Sequence, residues 1–343
     1  EAAEEREHVM KSSGLIVDVG PHIHGGNSIA RTMHNQIIAL IPAIAVGVYM
    51  FGAGAVRAIA VAVAAAVVFE YLMLRALKKP ASALADGSAA LTGLLLVLML
   101  PADVPWWVIV VGVGSSIVIG KMLFGGLGAY PFNPVIVGWV ILLLSWPSLI
   151  NKWPRPNHTL WGGIAESLPA QTTLEIMKRY GVQMSDQFSL LDSFLGFQPG
   201  GIGSVAGLAL VIGGVFLIAR NIISWQVPIG FIAGIFIFGG IYHAVDPTMY
   251  ASPLFHLVSG TTLFCIFFLA PEHTTSPNTK WGKLLFGLCC AALTIVIRTH
   301  GTHANGSARF AILLMNLLVP FFDRIRPPIL GLPKKSKEAA ADA

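Results

Sequence analysis

The stretch Asp86-Gly87-Ser88 opens an apolar run from Ala89 to Leu100, and a similar stretch recurs late in the chain. There, Ser259-Gly260-Thr261-Thr262 opens the run from Leu263 to Ala270. A second glycine-rich break follows 39 positions after Gly87, at Gly126, and 41 positions after Gly260, at Gly301. Broken helices at corresponding positions in two halves of a membrane protein indicate a site between the halves, because helix ends can face a bound group. The pattern therefore predicts a buried central site.

The composition predicts an integral membrane protein. Of 343 residues, 55% are hydrophobic and 11% are charged, and the mean hydropathy is +0.72. So little charge cannot cover a water-facing surface. We predict an all-α fold of about ten transmembrane helices, most of them close to the ~20 residues that cross hydrocarbon. The predicted spans are 36–53, 55–77, 85–100, 105–122, 131–150, 202–219, 226–245, 254–270, 281–298 and 306–322.

The third and eighth predicted spans are short, as expected for helices that are broken or only partly cross. Five spans in each half make the second half run opposite to the first. We therefore predict two inverted five-helix repeats. The predicted organisation is an N-terminal segment at 1–35, a first repeat at 36–150, a connecting loop at 151–201, a second repeat at 202–322 and a C-terminal tail at 323–343.

The net charge of +5 follows from membrane orientation and does not indicate a nucleic-acid partner. If the first 35 residues are cytoplasmic, seven of the 22 Lys and Arg residues lie on the other side, which leaves fifteen (22 − 7) on the cytoplasmic side. This bias follows the positive-inside rule. It predicts a multi-pass protein of the bacterial or archaeal inner (cytoplasmic) membrane with both termini in the cytoplasm. The seven are Arg57, Lys152, Arg155, Lys178, Arg179, Arg298 and Arg309.

The three cysteines, Cys265, Cys289 and Cys290, lie in apolar segments without C-x-x-C or metal-ligand spacing. We interpret them as small core residues. The sequence also contains no dinucleotide fingerprint. We therefore expect no metal and no iron–sulfur cluster in this chain.

The connecting loop contains Thr172-Thr173-Leu174-Glu175, which matches a capping box. It predicts a helix from Thr173 to Tyr180 that Gly181 ends. Thr172 then has two interpretations. It is an N-cap, worth about 1 kcal/mol, or it lies at a helix N-terminus that holds a phosphate. The residues alone favour the N-cap.

Two ionisable residues within apolar segments have open interpretations. Glu70 lies inside the second predicted span, where an acid suggests a cation path. Its alternative role is a protonated or hydrogen-bonded acid that faces the helix bundle. His256, in the eighth predicted span, is interpreted as a histidine whose hydrogen bonds are satisfied at the interface.

A series of motifs extends over nearly the whole chain, and their order and spacing are more specific than any one of them. They are Pro21-His22-Ile23-His24 with Ser28 and Met33, Asp86-Gly87-Ser88 with Leu91-Thr92-Gly93, Ile119-Gly120-Lys121, Gly125-Gly126-Leu127-Gly128, Pro131-Phe132-Asn133-Pro134 with Gly138, Phe194-Leu195-Gly196, Gly200-Gly201-Ile202-Gly203, Ile222-Ile223-Ser224-Trp225, Thr275-Ser276-Pro277 and Gly282-Lys283. Together they resemble the D subunit of Rnf complexes and, more distantly, the B subunit of sodium-pumping NADH:quinone oxidoreductase.

The resemblance implies a fold similar to that of urea transporters. It also implies an electron-transfer subunit of an ion-translocating ferredoxin:NAD⁺ oxidoreductase that moves Na⁺ or H⁺. The partners it implies are the other subunits of the complex, including a second flavin subunit and iron–sulfur subunits. Members of the family carry FMN joined through its phosphate to a threonine hydroxyl by a flavin transferase. They can also hold riboflavin non-covalently within the membrane part.

Carried onto this sequence, the flavinylated threonine corresponds to Thr172, with Leu174 at the matching leucine. The chain departs from the family motif Ser-Gly-Ala-Thr before that position, where Pro169, Ala170 and Gln171 stand, and Thr173 replaces a proline. A rival, Thr261 within Ser259-Gly260-Thr261-Thr262, matches the letters better. However, it begins an apolar segment, where a phosphate ester is costly to bury. Thr172 is the predicted attachment site.

The glycines of the breaks predict a flavin pocket in the membrane part. Without Cβ atoms they let a flat ring approach the backbone, and they allow φ > 0; close helix packing is the alternative role. Their position beside Asp86, Lys121 and Asn133 favours the pocket. The glycines are Gly87, Gly125, Gly126, Gly128, Gly260 and Gly301.

The sequence thus predicts a redox subunit rather than a complete enzyme, with NADH and ferredoxin handled by partners and the redox chemistry supplied by flavins. One alternative is a quinone-reducing subunit, whose segment before the first span is typically longer than the about 35 residues found here. Another is a cofactor-free channel or transporter for a small polar solute, since a fold of this kind permits it.

Overall fold

A computed structural model describes residues 28–154, 172–180, 189–301 and 303–325, apart from the side chains of residues 81–83 and 180. The secondary structure of this part of the chain is helical. Its α-helices are α1 (Ile29–Phe51), α2 (Ala53–Ala76), α3 (Ser88–Leu98), α4 (Trp106–Ser115), α5 (Pro134–Ser145), α6 (Pro147–Ile150), α7 (Thr173–Tyr180), α8 (Leu190–Leu195), α9 (Gly207–Ala219), α10 (Gln226–Val245), α11 (Pro253–Val258), α12 (Thr262–Phe264), α13 (Lys280–His300) and α14 (Ser307–Phe322).

Shorter helical turns extend or precede several of these helices. The 3₁₀ turns are Ala81–Asp86 and Ala304–Gly306. Two π-helical segments, Ser116–Met122 and Cys265–Leu269, continue α4 and α12 respectively. π-Helical turns are rare and occur frequently at functional sites.

Five helices are long and apolar enough to cross a membrane: Ile29–Phe51, Ala53–Ala76, Gln226–Val245, Lys280–His300 and Ala304–Phe322. Four more apolar helices are shorter: Ser88–Leu98, Trp106–Met122, Pro134–Ser145 and Gly207–Ala219. The remaining predicted span, 254–270, is divided between α11 and α12. The prediction of a helical, multi-pass membrane protein is therefore confirmed, with five rather than ten full-length apolar helices among the described residues.

The first helix begins earlier than the sequence predicted. Ser28 caps α1 by accepting a hydrogen bond from the Arg31 backbone N–H at 3.2 Å. The first two turns of α1 carry polar residues such as Arg31 and Gln36. These residues lower the local hydropathy, so hydropathy alone does not predict that the helix begins here. The predicted N-terminal segment at 1–35 therefore overlaps the start of this helix.

Small residues bring several helices into backbone contact. A Cβ atom on Gly213 of α9 would lie 2.2 Å from the Ala39 carbonyl oxygen of α1. A Cβ atom on Gly230 of α10 would lie 2.3 Å from the Leu284 carbonyl oxygen of α13. Such close crossings are typical of helices packed in lipid, where van der Waals contact replaces the hydrophobic effect between helices.

The two predicted helix breaks are confirmed. The first break, Asp86-Gly87-Ser88, separates the 3₁₀ turn from α3, and the second break, Ser259-Gly260-Thr261, separates α11 from α12. Gly87 and Gly260 have φ of 79° and 68°, a left-handed conformation that L side chains rarely adopt. Gly301, at the end of α13, has φ −77° and does not adopt the positive φ that glycine allows.

Candidate functional site

The first break is closed by a local hydrogen-bonded turn. Asp86 Oδ1 accepts hydrogen bonds from the Ser88 backbone N–H at 2.8 Å and from the Ser88 hydroxyl at 2.6 Å. The carboxylate thereby satisfies donors at the start of α3, as Asp residues at helix N-termini do. Ser88 is buried beneath this turn.

A buried ion pair lies directly below the first break. Lys121 Nζ lies 2.7 Å from both Glu70 carboxylate oxygens and donates to the Ser88 hydroxyl at 2.6 Å. Lys121 and Glu70 are 1% and 2% exposed. The structure therefore agrees with the interpretation of Glu70 as a hydrogen-bonded acid that faces the bundle, and it adds the compensating cation.

A cavity of about 360 Å³, cavity A, adjoins this ion pair. Its polar lining includes Ser88, Lys121, Tyr130, Asn133, Glu272 and His273. The volume falls within the ~300–1,000 Å³ of ligand pockets, which combine apolar walls with a few polar groups. Cavity A can therefore hold a small organic ligand.

Tyr130 and Glu272 connect the two halves of the chain at cavity A. The Tyr130 hydroxyl donates to Glu272 Oε1, and Thr275 Oγ1 donates to Glu272 Oε2 at 3.2 Å. Glu272 lies in the connection between α12 and α13, outside the spanning helices. Burial raises the pKa of Glu272 to about 7, and the hydrogen bonds from Tyr130 and Thr275 act in the opposite direction.

The predicted pocket residues of the first half divide into two groups. Lys121, Gly128 and Asn133 line cavity A, and Asn133 also caps α5 by accepting from the Val135 and Ile136 N–H groups. The other predicted residues do not line it. They are Asp86 and Gly87, which form the first break, and Gly125 and Gly126, which have φ of 117° and 104°.

Arg298 of α13 lies below the second break. Its Nη1 donates to the His256 carbonyl oxygen at 2.6 Å, and its Nη2 donates to the Thr262 hydroxyl at 2.8 Å. Its Nε donates to the Ser307 hydroxyl at 3.2 Å. Arg298 is 4% exposed, so all of these bonds form in the protein interior.

A second buried guanidinium, that of Arg309, lies on α14. It stacks on the Trp139 ring at 3.8 Å and donates through Nη2 to the Asn305 carbonyl oxygen at 3.1 Å. Its Nε and Nη1 have no hydrogen-bond partner among the described residues. Cation–π stacking contributes about 0.5–2 kcal/mol and so offsets only part of the desolvation of this charge.

The predicted helix of the connecting loop, Thr173–Tyr180, is confirmed as α7. Its capping box is also confirmed, because the Glu175 N–H donates to the Thr172 hydroxyl and the Thr172 N–H donates to the Glu175 carboxylate. The proposed stop, Gly181, and the motif residues Pro169, Ala170 and Gln171 lie outside the described residues. Thr172 is 3% exposed.

Helix α7 packs over the second break. Leu174 forms a small apolar cluster with Ala251, Phe255 and Ala304. A Cβ atom on Gly260 would lie 3.0 Å from Leu174 Cδ1 and 2.9 Å from Asn305 Oδ1. Gly260 therefore belongs to this second region and not to the predicted pocket around Lys121 and Asn133.

A cavity of about 500 Å³, cavity B, lies next to α7. Its lining includes Leu174, Met177, Lys178, Asp246, His256 and Arg298. The Nε2 atom of His256 has no hydrogen-bond partner among the described residues, although His256 is 1% exposed. The expectation that the hydrogen bonds of His256 are satisfied was therefore wrong.

The two cavities lie toward opposite ends of α13. Glu272 and His273 of cavity A precede the start of this helix at Lys280, and Arg298 of cavity B lies in its last turn. A helix of 21 residues spans roughly 31 Å. Each cavity therefore lies near a different face of the bundle.

The rival attachment threonine, Thr261, and its neighbour Thr262 in the second break are both buried. Thr261 and Thr262 are 1% and 0% exposed. The Thr262 hydroxyl accepts from Arg298 and donates to the carbonyl oxygens of His256 and Ser259. The Thr262 hydroxyl is therefore fully used in hydrogen bonds within the protein.

Sequence reasoning did not single out Tyr130, Glu272, Arg298 or Arg309 as site residues. A signal for one of them was present, since Lys121 follows Gly87 by 34 positions and Arg298 follows Gly260 by 38. Among the cysteines, Cys265 and Cys290 are buried, as predicted for core residues, and Cys289 is partly buried.

The helical fold, with cavity A near one end of α13 and cavity B near the other, is that of a multi-pass membrane protein. Residues 16–331 match the model of the NQR2, RnfD, RnfE family, and the chain belongs to this family. The resemblance inferred from the motifs is thereby confirmed.

Curated relatives match over almost their full length. The chain is 36% identical to the D subunit of the Na(+)-translocating ferredoxin:NAD(+) oxidoreductase complex of Acetobacterium woodii, over 97% of this chain and 100% of the relative. It is 33% identical to the D subunit of the ion-translocating oxidoreductase complex of Halorhodospira halophila, over 94% and 97%. The identity is 36% to the corresponding protein of Stutzerimonas stutzeri, over 92% and 96%.

Proposed function

We propose that this chain is the flavin-carrying electron-transfer subunit of a membrane-bound, ion-translocating ferredoxin:NAD⁺ oxidoreductase complex. The observation that carries this proposal is the full-length similarity to proteins named as the D subunit of such complexes. The sequence contains neither a dinucleotide fingerprint nor iron–sulfur spacing. Other subunits, including a second flavin subunit and iron–sulfur subunits, then exchange electrons with NAD⁺ and ferredoxin.

The proposed architecture is two inverted repeats of five crossings, similar to urea transporters, with both termini in the cytoplasm. The correspondence of the two breaks supports it. After each left-handed glycine a buried cation follows, and each cation donates to a hydroxyl of its own break region: Lys121 to Ser88, and Arg298 to Thr262. An asparagine also precedes α5 and α14: Asn133 caps α5, and Asn305 lies in the 3₁₀ turn before α14.

Thr172 is the proposed attachment site of FMN. Its helix α7 lines cavity B through Leu174, Met177 and Lys178. At the N-terminus of α7, the positive end of the helix dipole favours a phosphate. The positively charged Lys178 and Arg298 on the cavity wall also fit an anionic ligand. The bound flavin would supply the redox chemistry, and the chain would supply its position and electrostatic environment.

Cavity A is the proposed site of a second, non-covalent flavin without a phosphate, such as riboflavin. Its cation, Lys121, is neutralised by Glu70, so the cavity suits an uncharged ligand. Tyr130 and Asn133 offer polar groups beside the apolar walls. The Lys121–Glu70 pair is buried within the helix bundle, and we retain Glu70 as the proposed ion-path residue.

Flavin detection in the purified chain tests the proposal. Native protein should show flavin absorbance, and the denatured chain should fluoresce in a gel under ultraviolet light. Thr172→Ala should abolish the gel fluorescence, whereas Thr173→Ala and Thr261→Ala should retain it. A colourless wild-type chain that supports the full activity of its complex would contradict the proposal and favour the cofactor-free transporter.

The family model also includes NQR2 proteins, which keeps a quinone-reducing subunit as the second candidate. The names of the similar relatives favour the ferredoxin-linked complex. Turnover of the purified complex with NADH as electron donor and a quinone as acceptor, compared with reduced ferredoxin as donor and NAD⁺ as acceptor, distinguishes the two. Quinone-dependent turnover would support the second candidate.

A further inference from the structure

The two helix breaks differ in their charge balance. At the first break, Lys121 is paired with Glu70, which is the one ion pair among the described residues. At the second break, Arg298 and Arg309 are 4% and 1% exposed, and no carboxylate in the described part of the chain pairs with either. An isolated buried charge is costly. The second break therefore offers an uncompensated positive field to an anionic group.

The hydrogen bonds of Arg298 hold its guanidinium but leave its charge intact. All of its acceptors are neutral: the His256 carbonyl oxygen and the hydroxyls of Thr262 and Ser307. The guanidinium group is thus held in one orientation by residues of α11, α12 and α14. A preorganised charge of this kind stabilises developing negative charge without reorganisation.

Arg298 also determines the proton position on His256. Its Nη1 lies 3.5 Å from His256 Nδ1, and because a guanidinium can only donate, this contact favours the tautomer in which Nδ1 accepts. The neutral imidazole then carries its proton on Nε2. That atom is buried and has no partner among the described residues, and His256 lies beside Arg298 in the lining of cavity B.

The remaining charged groups of cavity B form no ion pair with Arg298. Lys178 adds a further positive charge at an exposed position. Asp246 is the acidic residue of the lining, and its Oδ1 is occupied by the Thr248 N–H, the Thr248 hydroxyl and the Met249 N–H. Neither Arg298 nor His256 is bonded to it.

We propose that Arg298 and His256 form an anion-stabilising pair that raises the reduction potential of the flavin in cavity B. An electron that arrives from another redox centre of the complex without a proton adds one negative charge to the flavin. The pair stabilises that charge through the His256 Nε2–H donor and the Arg298 field, and no protein bond forms or breaks. This inference rests on the proposed function, because it requires a flavin in this chain.

Redox titration of the purified full-length chain, followed by flavin absorbance, tests the inference. Arg298→Gln and His256→Leu should each lower the potential of a flavin transition. A tenfold loss of preference for the reduced form corresponds to about 59 mV for a one-electron couple. Arg298→Lys keeps the charge, and His256→Gln keeps an N–H donor, so both should recover most of the shift. Arg220→Gln removes an exposed cation and should leave every potential unchanged.

The outcomes separate this inference from the proposed function. Flavin-containing Arg298→Gln and His256→Leu variants with wild-type potentials would overturn the inference and leave the proposed function standing. A wild-type chain without flavin absorbance would overturn both. Where Arg298→Gln does not fold, His256→Leu decides: a lowered potential that His256→Gln restores supports the inference, and an unchanged potential overturns it.

Discussion

The Lys121 ammonium group contacts both carboxylate oxygens of Glu70 at 2.7 Å, although the two residues lie 51 positions apart in the chain. The pair joins α2 to the π-helical end of α4, and the third donor of Lys121 reaches Ser88 at the first break. The acid that stands alone in an apolar stretch of sequence therefore belongs to a compensated cluster that holds three elements together.

Removal of one member of this pair should destabilise the fold strongly. Glu70→Leu leaves the Lys121 charge buried without a carboxylate, which costs about 3–5 kcal/mol. The double variant Glu70→Leu with Lys121→Met removes both charges and should regain most of that loss. Denaturant unfolding of the purified chain in detergent measures the free energies. If the double variant instead lost as much unfolding free energy as the two single variants combined, Glu70 and Lys121 would not be coupled.

The proposed ion path through Glu70 makes a separate prediction. Glu70→Gln keeps the shape of the side chain and removes its negative charge. In the reconstituted complex, we expect electron transfer to continue while ion translocation falls. Parallel measurement of NAD⁺ reduction and ion uptake into vesicles shows the difference, and unchanged coupling would exclude Glu70 from the path.

The two left-handed glycines should differ in their tolerance of alanine. Both substitutions incur a backbone strain of about 1–3 kcal/mol. A Cβ atom on Gly87 would make ordinary contact with His34 at 3.5 Å, whereas one on Gly260 would lie 2.9 Å from Asn305 Oδ1. Gly260→Ala should therefore lower the unfolding midpoint more than Gly87→Ala. Equal decreases in the unfolding midpoints of the two variants would show that backbone strain, and not the contact with Asn305, accounts for the loss of stability.

The capping box and the flavin attachment can be separated at α7. Glu175→Ala removes one of the two reciprocal bonds and should cost about 0.5–1.5 kcal/mol of helix stability, with covalent flavin retained. Thr172→Ala removes both the cap and the attachment. Mass measurement of the denatured chain reports the flavin, and limited proteolysis reports the helix.

Burial of Thr172 predicts that attachment of FMN requires α7 to open. Leu174→Ala loosens the cluster with Ala251, Phe255 and Ala304 and should speed flavin transfer to the flavin-free chain in vitro. Leu191→Ala provides the matched control, because Leu191 is 65% exposed. A time course of gel fluorescence with purified transferase measures the rates. Equal rates for both variants would show that the hydroxyl is accessible in the folded chain.

Glu272 predicts a pH dependence of stability. Its pKa is raised from 4.5 to about 7, so the folded state favours the protonated carboxyl. The stabilising contribution is fully present below about pH 4.5 and is lost as the pH rises through about 7. The wild-type chain should therefore lose more thermal stability than Glu272→Gln between pH 5 and pH 8. This difference in thermal stability should be modest, because Glu272 is only partly buried.

The proposed orientation predicts which side of the membrane each connection faces. Cysteines introduced at exposed Lys178 and Arg220 should react oppositely with a membrane-impermeant maleimide added to intact cells. Lys178→Cys should be labelled directly, and Arg220→Cys only after the membrane is opened. The background needs Cys289 replaced, since it is the partly buried native cysteine among the described residues. Reversed labelling would invert the topology and place α7 in the cytoplasm.

Local features of this chain were predictable from sequence because their causes are local. The capping box involves residues three positions apart, and it correctly predicted α7 from Thr173 to Tyr180. The breaks at Gly87 and Gly260 follow from the conformational freedom of glycine next to polar residues. The start of α1 was missed because its first turns are polar, so that hydropathy alone did not reveal them.

The grouping of site residues was not predictable in the same way. Gly260 resembles Gly87 in its local sequence, yet it contacts Leu174 and Asn305 and lies away from Lys121. From its position at the end of a predicted span, Arg298 is expected at the membrane surface. In the structure it is buried and bonded to residues of α11 and α12. These placements depend on how helices distant in sequence cross each other.

The amino-acid sequence by itself determined three properties. These are that the chain is a membrane protein, at which residues its helices break, and that a capped helix precedes the second half. These properties depend on apolar composition, glycine backbone freedom and hydrogen bonds between near neighbours. Only the tertiary structure decided that Lys121 meets a carboxylate while Arg298 does not, and that α7 covers the second break. The physical reason is that burial and charge compensation are set by packing between residues tens of positions apart, which no local pattern specifies.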